Sequence, residues 1–220
     1  MFNLFKFLSI SWIFGFTSKK HYKKAEAYFD EKKYDEAIVE YEKILKNDKN
    51  NFDVLVKCAE TYFFNIKFSI ASEYYLRAIE LRPNYAKAYN NLGNLSVLEG
   101  DREKAKKEYK KALEIDPNYN SAQYNLDHFS TIEGDLCDNL GIDLQKRGEY
   151  LKAIDFHQKA IDCGTTFPAK SYNNLGYAYY NLNDFDNAII RYDEALKIDP
   201  NLSNAIKFRE KALNKKIAVN

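Results

Sequence analysis

The sequence predicts an all-α protein, a solenoid of antiparallel helix hairpins, and three observations predict it. Small residues recur at a fixed interval, with Ala37, Ala71 and Ala105 standing 34 residues apart. Other columns keep step: Tyr41, Tyr75 and Tyr109 follow four residues later, Tyr28, Tyr62 and Ser96 precede each Ala by nine, and Pro83 and Pro117 follow the second and third by twelve. Composition agrees, because 8 Gly and 4 Pro beside 18 Tyr and 15 Phe leave few tight turns and many aromatic groups to pack between helices. Four columns in phase mark an internal repeat the length of one hairpin.

The elements follow from these columns in order. Three units occupy 18–51, 52–85 and 86–119. The next interval, Ala105 to Ala153, is 48 residues, and the one after, Ala153 to Ala188, is 35; Gly93, Gly141 and Gly176 repeat both. A helix of about fourteen residues is therefore inserted at 120–133, before units at 134–168 and 169–202. A final helix at 203–217 carries Lys207, Arg209, Lys211, Lys215 and Lys216 beside Ile206, Phe208 and Leu213, the two faces a capping helix needs. Two first-type helices in succession predict two stacks, 18–133 and 134–217, with 120–133 capping the first and a protease-sensitive joint near Glu133-Gly134-Asp135.

Within a unit the apolar pattern has helical period, as in Tyr89, Leu92, Gly93 and Ser96, then Ala105, Tyr109 and Ala112. Between the two helices stand Gly100-Asp101, Gly148-Glu149 or Asn183-Asp184. The first residue of each pair suits a left-handed helix end, and the acid suits the cap of the helix that follows. Asp116-Pro117-Asn118 and Asp199-Pro200-Asn201 close units, because proline cannot continue a helix.

The stretches Tyr89-Asn90-Asn91-Leu92-Gly93 and Tyr172-Asn173-Asn174-Leu175-Gly176, with the Ala, Tyr, Ala and Pro columns behind them, resemble the tetratricopeptide repeat over about residues 18 to 217. The match is weaker at 18–51, where Lys24-Ala25 replaces Leu-Gly, and at 134–168, where His157 replaces the aromatic and Thr165 the Pro. The resemblance implies a non-enzymatic scaffold that holds a peptide or partner protein in a groove lined by the first helices. Asn91, Asn139 and Asn174 each stand two residues before a repeat Gly, and Asn125 stands two before Asp127 in the same register. The arrangement is similar to the asparagine ladder of sugar-transferring tetratricopeptide superhelices and kinesin light chains. An amide both donates and accepts, so such a row suits a peptide backbone of any sequence. Lys87, Asn90, Asn94, Tyr124, His128, Asn173, Tyr177 and Tyr180 complete the expected lining. The clamp that a related subclass uses for chaperone C-termini needs Lys and Asn where this chain has Tyr22 and Glu26, which excludes that subclass for an array starting there. The alternative is a self-assembling structural protein attached to a membrane.

Residues 2–17 belong to no repeat and are strongly apolar. Sixteen helical residues reach only about 24 Å against a hydrocarbon core of about 30 Å. Lys19, Lys20, Lys23 and Lys24 follow directly and oppose export of what comes after. Three uses fit: a membrane-attached helix with the repeats in the cytoplasm, a cleaved export signal, or a helix packed on the first unit or offered to a partner.

Other function classes find no support. A net charge of +1, from 33 basic and 32 acidic residues, provides no field for nucleic acid. No two of the eight glycines lie closer than seven residues, so no phosphate-cradling loop exists. Cys58, Cys137 and Cys163 lack metal or redox spacing, and His21, His128 and His157 are scattered. No cofactor, metal or catalytic residue is expected, and His157, in a packing column, reads as core.

Overall fold

A hairpin of amphipathic helices buries one stripe of each helix against the other, and what remains apolar must be covered by the next hairpin. The computed structural model describes residues 17–219, and there are twelve helices and no strand among them. The N-terminal stretch 1–16 and Asn220 lie outside the described residues, and the reading of residues 1–17 as anchor, signal or packed arm falls on that stretch. No helix among the described residues is long and apolar enough to cross a membrane.

Helix α1 covers 17–30 and α2 Tyr34–Asn47; α3 is Phe52–Phe64 and α4 Phe68–Leu81; α5 is Ala86–Leu98 and α6 Arg102–Ile115. The short α7 is Asn120–Asp127. Then come α8 Ile132–Lys146 with α9 Tyr150–Cys163, α10 Pro168–Asn181 with α11 Phe185–Ile198, and α12 Ser203–Val219. Contacts divide the chain into two compact units, one running to Leu95 with Lys110–Tyr119 added, the other made of Ser96–Tyr109 and everything from Asn120 onward.

The turn inside each hairpin obeys one rule. Lys32, Ile66, Gly100, Gly148 and Asn183 all have positive φ, at 63°, 60°, 84°, 77° and 60°. The residue after each donates its N–H five residues back, Lys33 to Tyr28, Lys67 to Tyr62, Asp101 to Ser96, Glu149 to Leu144 and Asp184 to Tyr179, closing the first helix with a Schellman bond. Glycine and Asn signal this in three turns. In the first two, Lys32 and the β-branched Ile66 adopt the left-handed conformation against their own preference, held there by the same bond. Asp101 and Asp184 cap α6 and α11 through the N–H groups of Lys104 and Asn187. Glu149 does not cap α9; its carboxylate pairs instead with Arg147 at 2.5 Å and Lys152 at 2.6 Å.

The repeat columns are the core. Ala37, Ala71, Ala105, Ala153 and Ala188 are fully buried, and so are Tyr41, Tyr75, Tyr109, His157 and Tyr192 four residues on. In α1 and α2 a buried carboxylate joins them: Glu40 meets His21 at 2.5 Å, Lys24 at 3.0 Å and Lys43 at 2.8 Å. Burial alone would raise the Glu40 pKa, but hydrogen bonds from Lys43, His21 and Lys24 overcome it and hold the carboxyl down at about 2. At the other end, Ala205 and Ala212 of α12 are buried with Tyr192 and Ala195, and Phe208 packs among them, so α12 covers the last hairpin as a cap should.

The insertion differs from expectation. The helix expected at 120–133 ends at Asp127, a turn occupies 128–131, and Glu133-Gly134-Asp135 lies inside α8, which is where the joint was expected. The cause is Phe129, whose ring packs edge-on to Tyr109 at 6.3 Å with the Arg102 guanidinium 4.6 Å and the Lys106 ammonium 4.8 Å from its centre. A guanidinium nitrogen of Arg102 also donates to the Phe129 carbonyl. A continuous helix could not deliver both that ring and that carbonyl to α6. Beyond the turn Asp135 accepts from the Thr165 hydroxyl at 2.8 Å and from the Thr166 N–H at 2.8 Å, which replaces the missing proline as the device that closes α9.

Gly134 makes this junction possible. A Cβ there would lie 1.9 Å from the Gly164 carbonyl oxygen and 2.8 Å from that of Ala160, both backbone atoms. Gly134→Ala should therefore cost about 1–3 kcal/mol, and thermal unfolding should show a midpoint lower by several degrees, at about 2–4 °C per kcal/mol for a chain of this size. A midpoint unchanged from the parent would mean that α8 and the 164–167 loop are not packed as described.

Candidate functional site

Residues that recur at intervals of 34, 34, 48 and 35 on the first helices share one place on each hairpin. Asn91 thus corresponds to Lys57 on α3 and to Asn139 and Asn174 on α8 and α10, with Phe208 on α12. Three positions on, Asn94 corresponds to Glu60, Glu26, Ile142, Tyr177 and Lys211; four before, Lys87 corresponds to Asp53, Asp135, Lys170 and Asn204. These positions lie on one face of a helix because three and four residues make about one turn.

In the first unit this face is occupied by charges that satisfy each other. Lys57 of α3 meets Glu26 of α1 at 3.1 Å and its own neighbour Glu60 at 3.9 Å, and Glu60 meets Lys87 of α5 at 2.5 Å. Glu26 also accepts from the buried Tyr41 hydroxyl. Burial works against the Lys57 and Lys87 ammoniums, yet their glutamate partners hold both pKa values above the ordinary lysine range. Asn91 is likewise committed: its amide donates to the Tyr75 hydroxyl at 2.8 Å and accepts from Asn90 at 3.3 Å. Asn90 is buried and Asn94 half-buried. Of the expected lining here, Lys87 and Asn91 serve contacts within the unit.

The second unit is arranged otherwise. Asn139 is exposed, Asn173 and Asn174 are half-exposed, and Asn125 is buried. Among the described residues no group engages the side-chain amides of Asn139 or Asn174; the backbone carbonyl of Asn174 accepts from Gln145 at 2.6 Å. Tyr124 is exposed and stacks on His128 with ring centres 4.0 Å apart, so the pair lies together on α7 and its turn. Tyr177 and Tyr180 lie against Phe208, at 5.2 and 5.9 Å between centres. The cap thus covers part of the expected aromatic lining, and Phe208 holds the place that Asn174 holds one hairpin earlier.

A polar cluster with the look of chemistry lies in the same unit and is structural. His157 Nδ1 is 2.5 Å from Asp138 Oδ1, and the Ser171 hydroxyl donates to Asp138 Oδ2 at 2.9 Å. The hydroxyl therefore faces the carboxylate and not the imidazole, which is the wrong order for activating a nucleophile. The His157 ring instead fills the space over Gly141, where a Cβ would come within 2.6–2.8 Å of it, as the Tyr192 ring does over Gly176.

Sequence reading named Lys87 and passed over its partner Glu60, then Lys57, Lys170 and Phe208, as members of this face. The signal was present, since subtracting the repeat interval from Asn91 and Asn94 reaches Lys57 and Glu60. It is hidden by residue type: charges on a helix face read as solvated surface.

Family models described as tetratricopeptide repeat match residues 18–51, 86–119 and 169–202. No curated protein matches the chain in sequence. Similar solved structures include the MamA protein, at 24% identity and a TM-score of 0.45 over 83% of this chain and 92% of that one. The first TPR of Spaghetti (RPAP3) bound to the HSP90 peptide SRMEEVD is 34% identical over 50% of this chain and 87% of its own, with a TM-score of 0.48. The first TPR domain of human RPAP3 is 32% identical over 55% and 94%, with a TM-score of 0.49.

Because Asn91 is the partner of the hydroxyl of Tyr75, a residue only 1% exposed, Asn91→Ala strands a buried polar group and should cost about 1–3 kcal/mol of stability. Asn139→Ala at the equivalent exposed place should stay within about 0.5 kcal/mol of the parent. Chemical denaturation of the two variants separates them; equal stabilities would show that the two asparagines have the same role.

Proposed function

The chain belongs to the tetratricopeptide repeat family, and on that premise we propose that it is a non-enzymatic scaffold that binds a peptide segment of a partner protein along the first helices of its second unit, α8 and α10. The observation that carries this reading is the pair of unengaged amides at equivalent places, Asn139 and Asn174, beside the half-exposed Asn173. An extended peptide presents a donor and an acceptor at every residue, and an amide side chain answers both. The first unit has the corresponding positions paired among themselves, through Glu26, Lys57, Glu60 and Lys87.

The reading is tested with peptides selected from a random display library on the immobilised full chain. Two amide pairs, each contributing roughly 0.5–1.5 kcal/mol, separate the parent from the Asn139→Ala, Asn174→Ala double variant. Isothermal titration should show binding weakened about 5- to 150-fold with the unfolding midpoint preserved. Unaltered affinity for every selected peptide would remove these helices as the binding face.

A further inference from the structure

Each buried ring of the second-helix column has a counterpart at one fixed place on the next first helix: Tyr41 has Lys57, Tyr75 has Asn91, Tyr109 has Asn125, His157 has Asn174 and Tyr192 has Phe208. All but the last are polar. In the first unit the polar residue serves the ring behind it, since Asn91 donates to the Tyr75 hydroxyl at 2.8 Å and Lys57 pairs with Glu26, the acceptor of the Tyr41 hydroxyl. At the last place α12 presents Phe208, whose ring centre lies 6.5 Å from that of Tyr192. Tyr192 is fully buried, and its hydroxyl has no hydrogen-bond partner among the described residues. A donor in that position has given up water and gained nothing in exchange.

The remainder of this seat is built for a first helix. Ala205 and Ala212, three residues before Phe208 and four after it, are fully buried with Ala188 and Ala195 of α11. Ala88 and Leu95, at the same offsets from Asn91, are buried in the same way on α5. At the rim α12 is held to α11 by two ion pairs, Arg209 with Asp193 and Lys216 with Asp186, and every one of these side chains is at least 38% exposed. Pairs so exposed contribute little and weaken further in salt. Helix α12 therefore fills the volume of the seat, leaves its hydrogen bond unmade and is fastened by its weakest kind of contact.

We infer that α12 is an exchangeable cap, and that its seat on α10 and α11 is a docking site for an amphipathic helix of a partner protein with an amide residue at the place of Phe208. The occupant is read from the seat: small residues at the places of Ala205 and Ala212, a basic residue toward Asp193, and Asn or Gln between them to engage Tyr192 as Asn91 engages Tyr75. Binding is of the helix-in-groove kind, with α12 leaving as the partner helix enters. Because α12 is tethered through the 199–202 turn it competes at high effective concentration, so the added hydrogen bond decides which helix is seated. The site is separate from the amide face of α8 and α10.

The probe is an end-blocked, fluorescent peptide of residues 203–219 carrying Phe208→Asn, compared with a Phe208→Ala copy on the full chain. Anisotropy should show the Asn peptide binding about two- to tenfold tighter than the Ala peptide, the range one hydrogen bond supplies. On the Tyr192→Phe chain the two peptides should bind alike. Arg209→Ala with Lys216→Ala in the chain loosens its own cap and should tighten both peptides about two- to thirtyfold, the range two exposed ion pairs supply. Hydrogen exchange should show the α12 amides of the chain exchanging faster when the Asn peptide is bound, with those of α8 unchanged. Tyr192→Phe should keep the unfolding midpoint at or above that of the parent, whereas Tyr75→Phe, which deprives Asn91 of its partner, should lower it. The inference is overturned by any of five results: neither peptide binds, the Asn peptide has no advantage, its advantage survives Tyr192→Phe, α12 exchanges no faster in the complex, or Tyr192→Phe lowers the midpoint as far as Tyr75→Phe does.

Discussion

The close approach of two helices across a residue with little or no side chain is the constraint on which the rest depends. Gly176 lies beneath the Tyr192 ring and Gly141 beneath that of His157, closer than any Cβ would allow. Ala25 and Ala59 hold the corresponding place in the first two hairpins and are fully buried. Each contact fixes which stripe of the first helix faces its partner. It therefore also fixes which stripe faces outward, and the register of Asn91, Asn139 and Asn174 follows from where the Gly or Ala must be.

That geometry is indifferent to what the outward stripe carries, and the chain uses the freedom in two ways. In the first unit the stripe is an ion-pair chain tied into the core through the Tyr41 hydroxyl on Glu26. Partly buried pairs of this kind fix the alignment of successive helices more than they add to stability. In the second unit Ile142 and Tyr177 stand where Glu26 and Glu60 stood, and Asn139 and Asn174 stand where Lys57 stood.

The repeat interval was legible in the sequence because it depends on volume: only small residues fit at Ala37 and its successors, and only large flat ones fill the space at Tyr41 and its successors. What chemistry occupies a fixed volume was harder to read. The intervals place His157 in an aromatic column, yet nothing in the column announces Asp138 and Ser171 as its partners. Left-handed turns show themselves through Gly100, Gly148 and Asn183, but Lys32 and Ile66 adopt the same conformation for the sake of the bonds to Tyr28 and Tyr62. The helix expected at 120–133 looked continuous because its periodicity is, and Phe129 breaks it for a tertiary reason, the cations of α6. In the candidate site, the row of asparagines was visible while the commitment of Asn91 to Tyr75 was not, since that hydrogen bond joins helices sixteen residues apart in register.

Hydrogen exchange on the full chain, free and saturated with a library-selected peptide, tests most directly the claim that binding resides on the first helices of the second unit. Amides of α8, α10 and α12 should exchange more slowly in the complex, while those of α1 and α3 keep their free rates and α9 and α11 change little. Protection centred on α9 and α11, or spread evenly over α1, α3 and α5, would contradict the account.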